Sequence, residues 1–575
     1  MGTTHRPTVR GRHFMVASGH SLASLAGVRL LEAGGNAVDA GAAMGLAINV
    51  VQVESCNLGG VAPILVYRHG AGDVWQISGL GQYPRGATID WYEARHGGRI
   101  PPGIPATVTP AALGAWVTAL DRFGTKRFAE VAAPAMELAS GGFPMHERLA
   151  PSSAKLAAQE DAPVATRAVY APGGTAIPVG APLVQADLGR TFEALAAAED
   201  AAGPDRHQGL QAVLETFYGG PLARQMAAFN RAQCGVLTEA DVAGHRTRVE
   251  PAPSTTYRGH RVFACGPWCQ GPVVLQALNI LEGFDLAALR AGGAEHLHVI
   301  AQALNAAFAD RHAYYGDPEF VRVPLAGLLS KAYATAWRTR LGASAFGAMP
   351  APGDAWAFDR GSGPDLKVGP PEVVAAPQRT DTTYLCVVDG DGNAMSATPS
   401  DGAAGVQHWV VPGLGFPVSD RGDQGWLDPK HPAAVAPGKR PRLTPNPGFV
   451  RWADGRVMPY GTPGGDVQTQ AMTQVLVNLV DFGMSPQAAI EAPRIWSLSF
   501  PGSWDPHPYE PGVLVAESRV DAATREALSE RGHTVRATDA WTPSAGAVCV
   551  ARADLDARSY EGGADPRRLS YAIGW

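Results

Sequence analysis

Side chains that could bind metals or carry redox chemistry are present, but their spacing does not form a recognised site. The six cysteines are scattered, and the closest pair, Cys265 and Cys269, has three residues between its members. That is neither a redox spacing nor a zinc-binding one. The histidines, including His296 and His298, show no metal-ligand spacing. We therefore expect buried, reduced thiols, no metal and no cofactor.

Three further positions carry chemically useful groups, but each has an ordinary structural interpretation when taken alone. The run Asp389–Asn393 has calcium-like oxygens, yet it lacks the spacing and final glutamate of an EF-hand loop, so it predicts a tight hairpin turn. Pro463, Gly464 and Gly465 together indicate a turn. Thr382 is a β-branched residue at the start of a predicted strand, where such residues are common.

The elements that must position these groups change character along the chain. Residues 1–80 predict two helices and a hairpin, about 110–341 predict mostly helices, and 343–380 predict a flexible stretch or a long surface loop. A strand hairpin and a long apolar helix follow. The predicted elements are helices Ser21–Glu32, Ala37–Val50, Ala111–Asp121, Leu188–Ala197, Pro272–Leu281, Ala294–Arg311 and Val467–Phe482, and strands Ile64–Tyr67, Val74–Ile77, Thr383–Val388 and Ala394–Thr398.

The composition excludes several classes of function. The 575 residues are 46% hydrophobic and 17% charged with a net charge of -6, which gives no basic footprint for nucleic acid. The longest apolar runs, such as Ala42–Val53, are too short and too polar to span a bilayer. The N-terminus lacks the apolar segment of a secretory signal. We expect a cytoplasmic protein that binds neither membranes nor nucleic acid.

A set of sequence blocks, in a fixed order over most of the chain, resembles the γ-glutamyltransferase family. Any one block would be a weak signal, whereas the ordered set is specific. The blocks are Met15–His20, Leu30–Ala40, Ala307–Arg311 with Tyr315–Pro318, Thr382–Asp389 with Gly392 and Asn393, Pro437–Pro441, Gly461–Asp466 and Ala489–Arg494.

The resemblance implies a four-layer αββα sandwich of the N-terminal-nucleophile hydrolase type, made as an inactive precursor. It places autocatalytic cleavage between Asp381 and Thr382. Residues 1–381 would form a large subunit and residues 382–575 a small one, associated as a heterodimer. Further pairing of two heterodimers stays open.

The resemblance also assigns roles to five residues. After cleavage, Thr382 would act as nucleophile through its hydroxyl and as base through its new α-amine, whose reference pKa of about 7.7–8.0 lies near the operating pH. Gly464 and Gly465 match the family's paired glycines, whose N–H groups stabilise the oxyanion. Ser400 stands where the family keeps a hydroxyl that orients the amine. Thr444 stands at a hydroxyl position near the donor.

The residues that would read the substrate depart from the family pattern. Ile89 occupies the place of the arginine that clamps the donor α-carboxylate in γ-glutamyl enzymes. Gly402, Arg421 and Gln424 stand where amides or acids are expected, and a shift of one residue would make Asp401 a substitute. Because an arginine–carboxylate fork is strong and bidentate, its loss predicts that glutathione is a poor donor.

Two arginines could instead hold an acidic acyl group. These are Arg421, in Asp420-Arg421-Gly422, and Arg85, in Tyr83-Pro84-Arg85-Gly86. Either could also be a solvated surface residue.

Three functions are compatible with this pattern. The first hypothesis is an autoprocessing amidohydrolase or acylase that cleaves a small-molecule amide through a threonine acyl-enzyme. The second is a genuine γ-glutamyltransferase or glutathione hydrolase with a rearranged donor clamp. The third is an uncleaved, non-catalytic binding relative, which the retention of Thr382, Ser400, Gly464 and Gly465 disfavours.

Overall fold

The computed structural model describes residues 4–360, 368–369, 371–376, 381–401 and 409–575. The strands are β1 Val9–Gly11, β2 Met15–Ser18, β3 Ile64–Arg68, β4 Asp73–Ile77, β5 Phe143–Pro144, β6 Pro182–Leu183, β7 Val249–Pro251, β8 Ser254–Tyr257, β9 His260–Ala264, β10 Leu385–Val388, β11 Ala394–Ala397, β12 Gly448–Arg451, β13 Val457–Gly461, β14 Ile495–Ser497, β15 Val513–Glu517, β16 Thr534–Thr538, β17 Cys549–Asp554, β18 Ser559–Ala564 and β19 Tyr571–Gly574. The helices are α1 Ser21–Glu32, α2 Ala37–Val51, α3 Ile89–His96, α4 Ala112–Phe123, α5 Phe128–Gly141, α6 Ala150–Ala158, α7 Val164–Tyr170, α8 Ala186–Ala201, α9 Arg206–Tyr218, α10 Pro221–Ala232, α11 Glu239–Ala243, α12 Gly271–Leu281, α13 Ala294–Tyr314, α14 Leu325–Leu328, α15 Lys331–Arg338, α16 Val467–Val480, α17 Pro486–Glu491 and α18 Ala522–Glu530.

The predicted helices and strands are present, with boundaries that differ by a few residues. The largest differences are at α8, which is longer at both ends, and at α13, which ends at Tyr314 rather than Arg311; β10 begins at Leu385 rather than Thr383. Thr382 has a φ of +84°, which is incompatible with an extended strand, so regular pairing starts only after it. The predicted turn at Asp389–Asn393 is also present: the Asp389 carboxylate accepts bonds from the Asp391 and Asn393 N–H groups.

Two seven-stranded sheets stack face to face, with helices covering both outer faces. One sheet has the order β1-β18-β17-β13-β12-β9-β8 and the other β19-β2-β10-β11-β3-β4-β7. Side chains alternate between layers, as strand geometry requires: Cys386 and Val388 face the inter-sheet core, while Leu385 and Val387 pack among the residues of α2 and α4. A third core lies between the first sheet and helices α12, α13 and α16. The αββα prediction is confirmed.

Strand β10 lies in the middle of the second sheet. It pairs antiparallel with β2 on one side and with β11 on the other. The β10–β11 register pairs Leu385 with Ala397, and extending the same register by three residues places Thr382 opposite Ser400. The sheet thus brings together two hydroxyl groups that the sequence separates.

Cys234 is exposed, so the prediction that all thiols are buried is wrong for that residue, which lies in a turn after α10. Within 343–380, the described part includes a short 3-10 helix, Ala355–Phe358, whose Ala355 is fully buried. No helix among the described residues is long and apolar enough to cross a membrane.

Candidate active site

The predicted nucleophile, Thr382, is buried just before β10, in a strained backbone conformation. A positive φ is a genuine outlier for a β-branched residue and costs on the order of 1–3 kcal/mol. Its Oγ1 lies 2.5 Å from Ser400 Oγ and donates to Asp381 Oδ1 at 3.1 Å. The hydroxyl therefore has both a polar neighbour and a carboxylate that can accept its proton.

The turn between β13 and α16 brings a backbone donor to the peptide bond before Thr382. The Gly464 N–H donates to the Asp381 carbonyl oxygen at 3.3 Å. Gly464 has a φ of +125° and Gly465 a φ of +59°, conformations that favour glycine. An N–H aimed at a carbonyl oxygen stabilises the negative charge that forms there when the carbonyl carbon is attacked.

Arg421 joins the same group of residues from a short 3-10 turn, Arg421–Gln424. The guanidinium is fully buried, lies 2.8 Å from Asp381 Oδ2 and also contacts Ser400 Oγ. Burial raises the pKa of the Asp381 carboxyl, and the Arg421 charge opposes that shift. Among the described residues, Nε and Nη1 of Arg421 have no hydrogen-bond partner.

A second polar network links Thr444 to the glycine turn. The Gln424 side chain accepts from the Thr444 N–H at 3.0 Å and donates to its Oγ1 at 3.4 Å. The Gln270 amide donates to the carbonyl oxygens of both Thr444 and Gly465, each at 2.9 Å. Gln270 thus holds the backbone of the turn and the backbone of Thr444 together, while Gln424 bonds the Thr444 hydroxyl.

Three residues around Thr382 and Thr383 were not predicted to act there: Gly19, Gln52 and Arg568. Thr383 Oγ1 donates to Gln52 at 2.5 Å, and Gln52 donates to the Gly19 carbonyl at 3.0 Å. A Cβ at Gly19 would lie 2.1 Å from Thr383 Oγ1, so a larger residue cannot fit. Arg568 donates to the Thr382 carbonyl at 3.4 Å, and burial lowers its pKa to about 9. Gly19 lies in the first of the sequence blocks, Met15–His20, so the resemblance could have indicated that it belongs near the site.

The remaining predicted residues have different surroundings. Ile89 begins α3 and packs in an apolar cluster around Tyr83. Asp401 is buried and bonded to Asn57, and its N–H donates to a neighbouring loop carbonyl. Arg85 is largely exposed, with 78% of its side-chain area accessible, so its predicted role in substrate binding is not supported by its position. Gly402 lies outside the described residues.

A cavity of about 240 Å³ lies beside the glycine turn. Its lining includes Gly464 and combines apolar side chains, such as Trp496 and Phe500, with the charged Asp466 and Arg536. Within the part of the chain that the structure describes, no group of three or more His, Cys, Asp or Glu side chains could hold a metal ion.

Comparison with known proteins gives a family. The family model described as gamma-glutamyltranspeptidase matches residues 23–575. The chain belongs to this family. It is 31% identical to the acylase ACY 1 proenzyme of Pseudomonas sp. (strain SE83) over 547 residues, which cover 93% of this chain and 89% of that one. It is 30% identical to the glutathione hydrolase proenzyme of Escherichia coli (strain K12) over 580 residues, covering 98% and 91%.

A solved structure extends the likeness to three dimensions. The crystal structure of cephalosporin acylase from Bacillus halodurans superposes with a TM-score of 0.85 at 30% identity, covering 100% of this chain and 98% of that one. As a gamma-glutamyltranspeptidase family member, the chain is an enzyme of the N-terminal-nucleophile hydrolase or transferase type. Identity is almost the same toward an acylase and a glutathione hydrolase, so overall similarity does not select the substrate.

Proposed function

We propose that this chain is a self-cleaving amidase, processed between Asp381 and Thr382 into fragments 1–381 and 382–575 that stay associated. The observation that carries the proposal is the Gly464 N–H bond to the Asp381 carbonyl oxygen, beside the Thr382 hydroxyl. The strained φ of Thr382 also supports it, because breaking the peptide bond releases that strain. The two relatives named above are both called proenzymes.

Self-cleavage proceeds by transfer of the Asp381 acyl group from nitrogen to the Thr382 oxygen, followed by hydrolysis of the ester. The Thr382 Oγ adds to the Asp381 carbonyl carbon while the Asp381 carboxylate takes the hydroxyl proton and Gly464 stabilises the oxyanion. The C–N bond then breaks, and its nitrogen, now the Thr382 α-amine, receives the proton. Water hydrolyses the resulting ester, which leaves a carboxylate at the end of the large fragment and restores the hydroxyl.

Substrate turnover repeats this chemistry on an external amide. The Thr382 hydroxyl attacks the substrate carbonyl, its proton passes to the α-amine, and the amine returns it to the departing nitrogen as the C–N bond breaks. Ser400, 2.5 Å from Oγ1, positions the hydroxyl. Water then releases the acid from the acyl-enzyme.

The pocket favours an acylase or amidohydrolase over γ-glutamyl transfer. Ile89 stands where the resemblance predicts the arginine for a donor carboxylate, and it packs in an apolar cluster. Gln424 is occupied by bonds to Thr444. One acylase is similar to this chain in sequence, and another is similar to it in structure.

Genuine γ-glutamyl transfer is the second candidate, because Arg421 could replace the missing clamp and a glutathione hydrolase is 30% identical. A γ-glutamyl anilide assay with and without a dipeptide acceptor separates the two. Strong, acceptor-stimulated release would favour the transferase.

Deletion of the predicted nucleophile tests the proposal directly. We expect Thr382→Ala to remain one chain of 60.1 kDa and to lose turnover, because the attacking oxygen is removed. Intact mass and a denaturing gel would show fragments of about 40 and 20 kDa, estimated from chain length, in the wild type only.

Thr398→Ala is the matched control. Thr398 is also buried near the end of the β10–β11 hairpin, and its hydroxyl has no hydrogen-bond partner among the described residues. This variant should cleave and turn over normally. An active wild-type preparation that contains only the intact chain would contradict the mechanism.

A further inference from the structure

Arg568 is a buried cation whose guanidinium is fixed beside Thr382. Its Nε and Nη2 donate to the Pro543 carbonyl oxygen at 3.2 and 3.0 Å, and its Nη1 donates to the Thr382 carbonyl oxygen at 3.4 Å. The residue is 8% exposed. Two bonds to one carbonyl oxygen set the plane of the guanidinium, so Nη1 is directed at the residue that carries the nucleophile.

The charge of Arg568 has no ion-pair partner among the described residues. Three acids act on it electrostatically, and each of them is paired with another arginine. These pairs are Glu54 with Arg148, Asp381 with Arg421, and Asp565 with Arg494 and Arg567. Burial lowers the pKa of Arg568 to about 9, so the side chain is charged at neutral pH. A buried cation without a partner is unfavourable for folding, which indicates a role beyond stability.

This charge lies close to the nitrogen that would become the Thr382 α-amine. Standard bond lengths place the nitrogen and the carbonyl oxygen of one residue at most about 3.6 Å apart, so Nη1 of Arg568 is within about 7 Å of that nitrogen. With an effective dielectric constant of about 20, a unit charge at this distance shifts a pKa by about one to two units. A positive charge disfavours the protonated amine and therefore lowers the pKa of the amine.

The other charged groups around Thr382 offset one another more than they offset Arg568. Asp381 and Arg421 carry opposite charges 2.8 Å apart, and Asp420 acts on that same pair. On the other side, Glu54 lies between Arg148, 3.6 Å away, and His146, 4.0 Å away. The His146 ring lies 5.2 Å from that of His20, and burial lowers the pKa of His20 to about 3, so His20 is neutral near pH 7.

We propose that Arg568 is a positioning residue that keeps the Thr382 α-amine of the processed enzyme in its free-base form at neutral pH. This inference rests on the proposed function, because the amine exists only after cleavage. The free amine takes the Thr382 hydroxyl proton while the oxygen attacks the substrate carbonyl, and it returns that proton to the departing nitrogen. A protonated amine cannot accept the proton, so Arg568 sets the lower pH limit of turnover.

Chemical labelling measures the pKa of the amine without a substrate. Processed wild-type enzyme, with cleavage verified by intact mass, is treated with a trace of acetic anhydride at a series of pH values. The acetylated fraction of the peptide that begins at Thr382 is then read by mass spectrometry. We expect a pKa below about 7, against a reference value of about 7.7–8.0. A value at or above the reference would overturn the inference.

An Arg568→Gln variant assigns the shift to this residue. We expect the pKa of the amine to rise by about one unit and Arg568→Lys to keep most of the wild-type value. Anilide hydrolysis by cleaved Arg568→Gln should be several-fold slower than wild type at pH 7 and equal to it at pH 9. A merely structural role would slow turnover equally at both pH values. An unchanged amine pKa in cleaved Arg568→Gln would refute the assignment.

Arg148→Gln is the matched control, because it removes a neighbouring guanidinium that already has a carboxylate partner. The pKa of the amine should change little in this variant, and a shift as large as that of Arg568→Gln would contradict the specific role of Arg568. If Arg568→Gln fails to self-cleave, the wild-type and Arg568→Lys values still decide the inference. A wild-type chain that never cleaves has no such amine and would instead contradict the proposed function.

Discussion

At the scale of single residues, Asp381 contributes more than its peptide bond to Thr382. Its backbone oxygen meets Gly464, one side-chain oxygen accepts from Thr382, and the other pairs with Arg421. The sequence resemblance marks Asp381 only as the residue before the cleaved bond. Its side chain gains a chemical role once the structure shows that it is buried against both the nucleophile and a cation.

Self-cleavage is predicted to depend on the ionisation of Asp381. Burial raises the pKa of this carboxyl above its usual range, and only the ionised form can accept the Thr382 proton. The cleavage rate should therefore rise as pH increases through that raised pKa and fall below it. Asp381→Asn should slow cleavage by about 100-fold, the range of a lost general base, in a time course of intact mass.

Asp420 provides the control for this pH dependence. Its negative charge raises the pKa of Asp381, so Asp420→Asn should move the rate profile toward lower pH without abolishing cleavage. A profile that moves toward higher pH, or an Asp381→Asn chain that cleaves at the wild-type rate, would exclude the carboxylate as the proton acceptor.

At the scale of secondary structure, the turn from β13 to α16 determines the position of the oxyanion donor. The turn relies on two consecutive positive φ angles, and its backbone is held from behind by Gln270. Behind that layer, Arg311 pairs with Asp466, the N-cap of α16. These buried contacts fix the direction of the Gly464 N–H before any substrate arrives.

Gly464→Ala should damage function through backbone geometry. A side chain at a φ of +125° is strongly disfavoured, so the turn should shift and misdirect its N–H group. We expect cleavage and turnover to slow by about 10- to 100-fold, measured by mass and by anilide hydrolysis.

Gly483→Ala offers a comparable substitution elsewhere, because Gly483 also has a positive φ and nothing lies within 4 Å of the position that a Cβ would occupy. It should lower the free energy of unfolding by about 1–2 kcal/mol and leave processing intact. Equal kinetic losses in both variants would mean that the first effect is not local to the oxyanion donor.

At the scale of the whole molecule, the proposed cut runs through both sheets rather than between domains. Strand β10, after the cut, pairs with β2 from before it, and β11 pairs with β3. In the other sheet β12 pairs with β9, and β18 pairs with β1. Each fragment alone would expose unpaired strand edges and half of a core.

The two fragments should consequently remain together after cleavage. We expect both to co-elute as one species in size-exclusion chromatography under native conditions and to separate only in denaturant, because separation would expose the inter-sheet core. Denaturant unfolding of the cleaved protein should show one cooperative transition. Fragments that elute separately in native buffer would rule out a shared fold.

The amino-acid sequence alone was enough to predict the fold class, the hairpin that follows Thr382, and the turn at Gly464. These features depend on local periodicity, on turn residues or on ordered blocks, all of which can be read along the chain. The division into two subunits follows from the same resemblance and stays a prediction. The departure at Ile89 is likewise visible in the chain without a structure.

The surroundings of the bond before Thr382, by contrast, were established by tertiary packing. Arg421 and Gly464 contact Asp381 although they are 40 or more residues away from it in the sequence. Gln52 contacts Thr383 across a sequence separation of more than 300 residues. No local period encodes such contacts, because they arise when two sheets and their connecting turns pack against one another. Tertiary packing therefore decides which group pairs with a buried charge, because a charge in the interior needs a partner among the side chains packed around it.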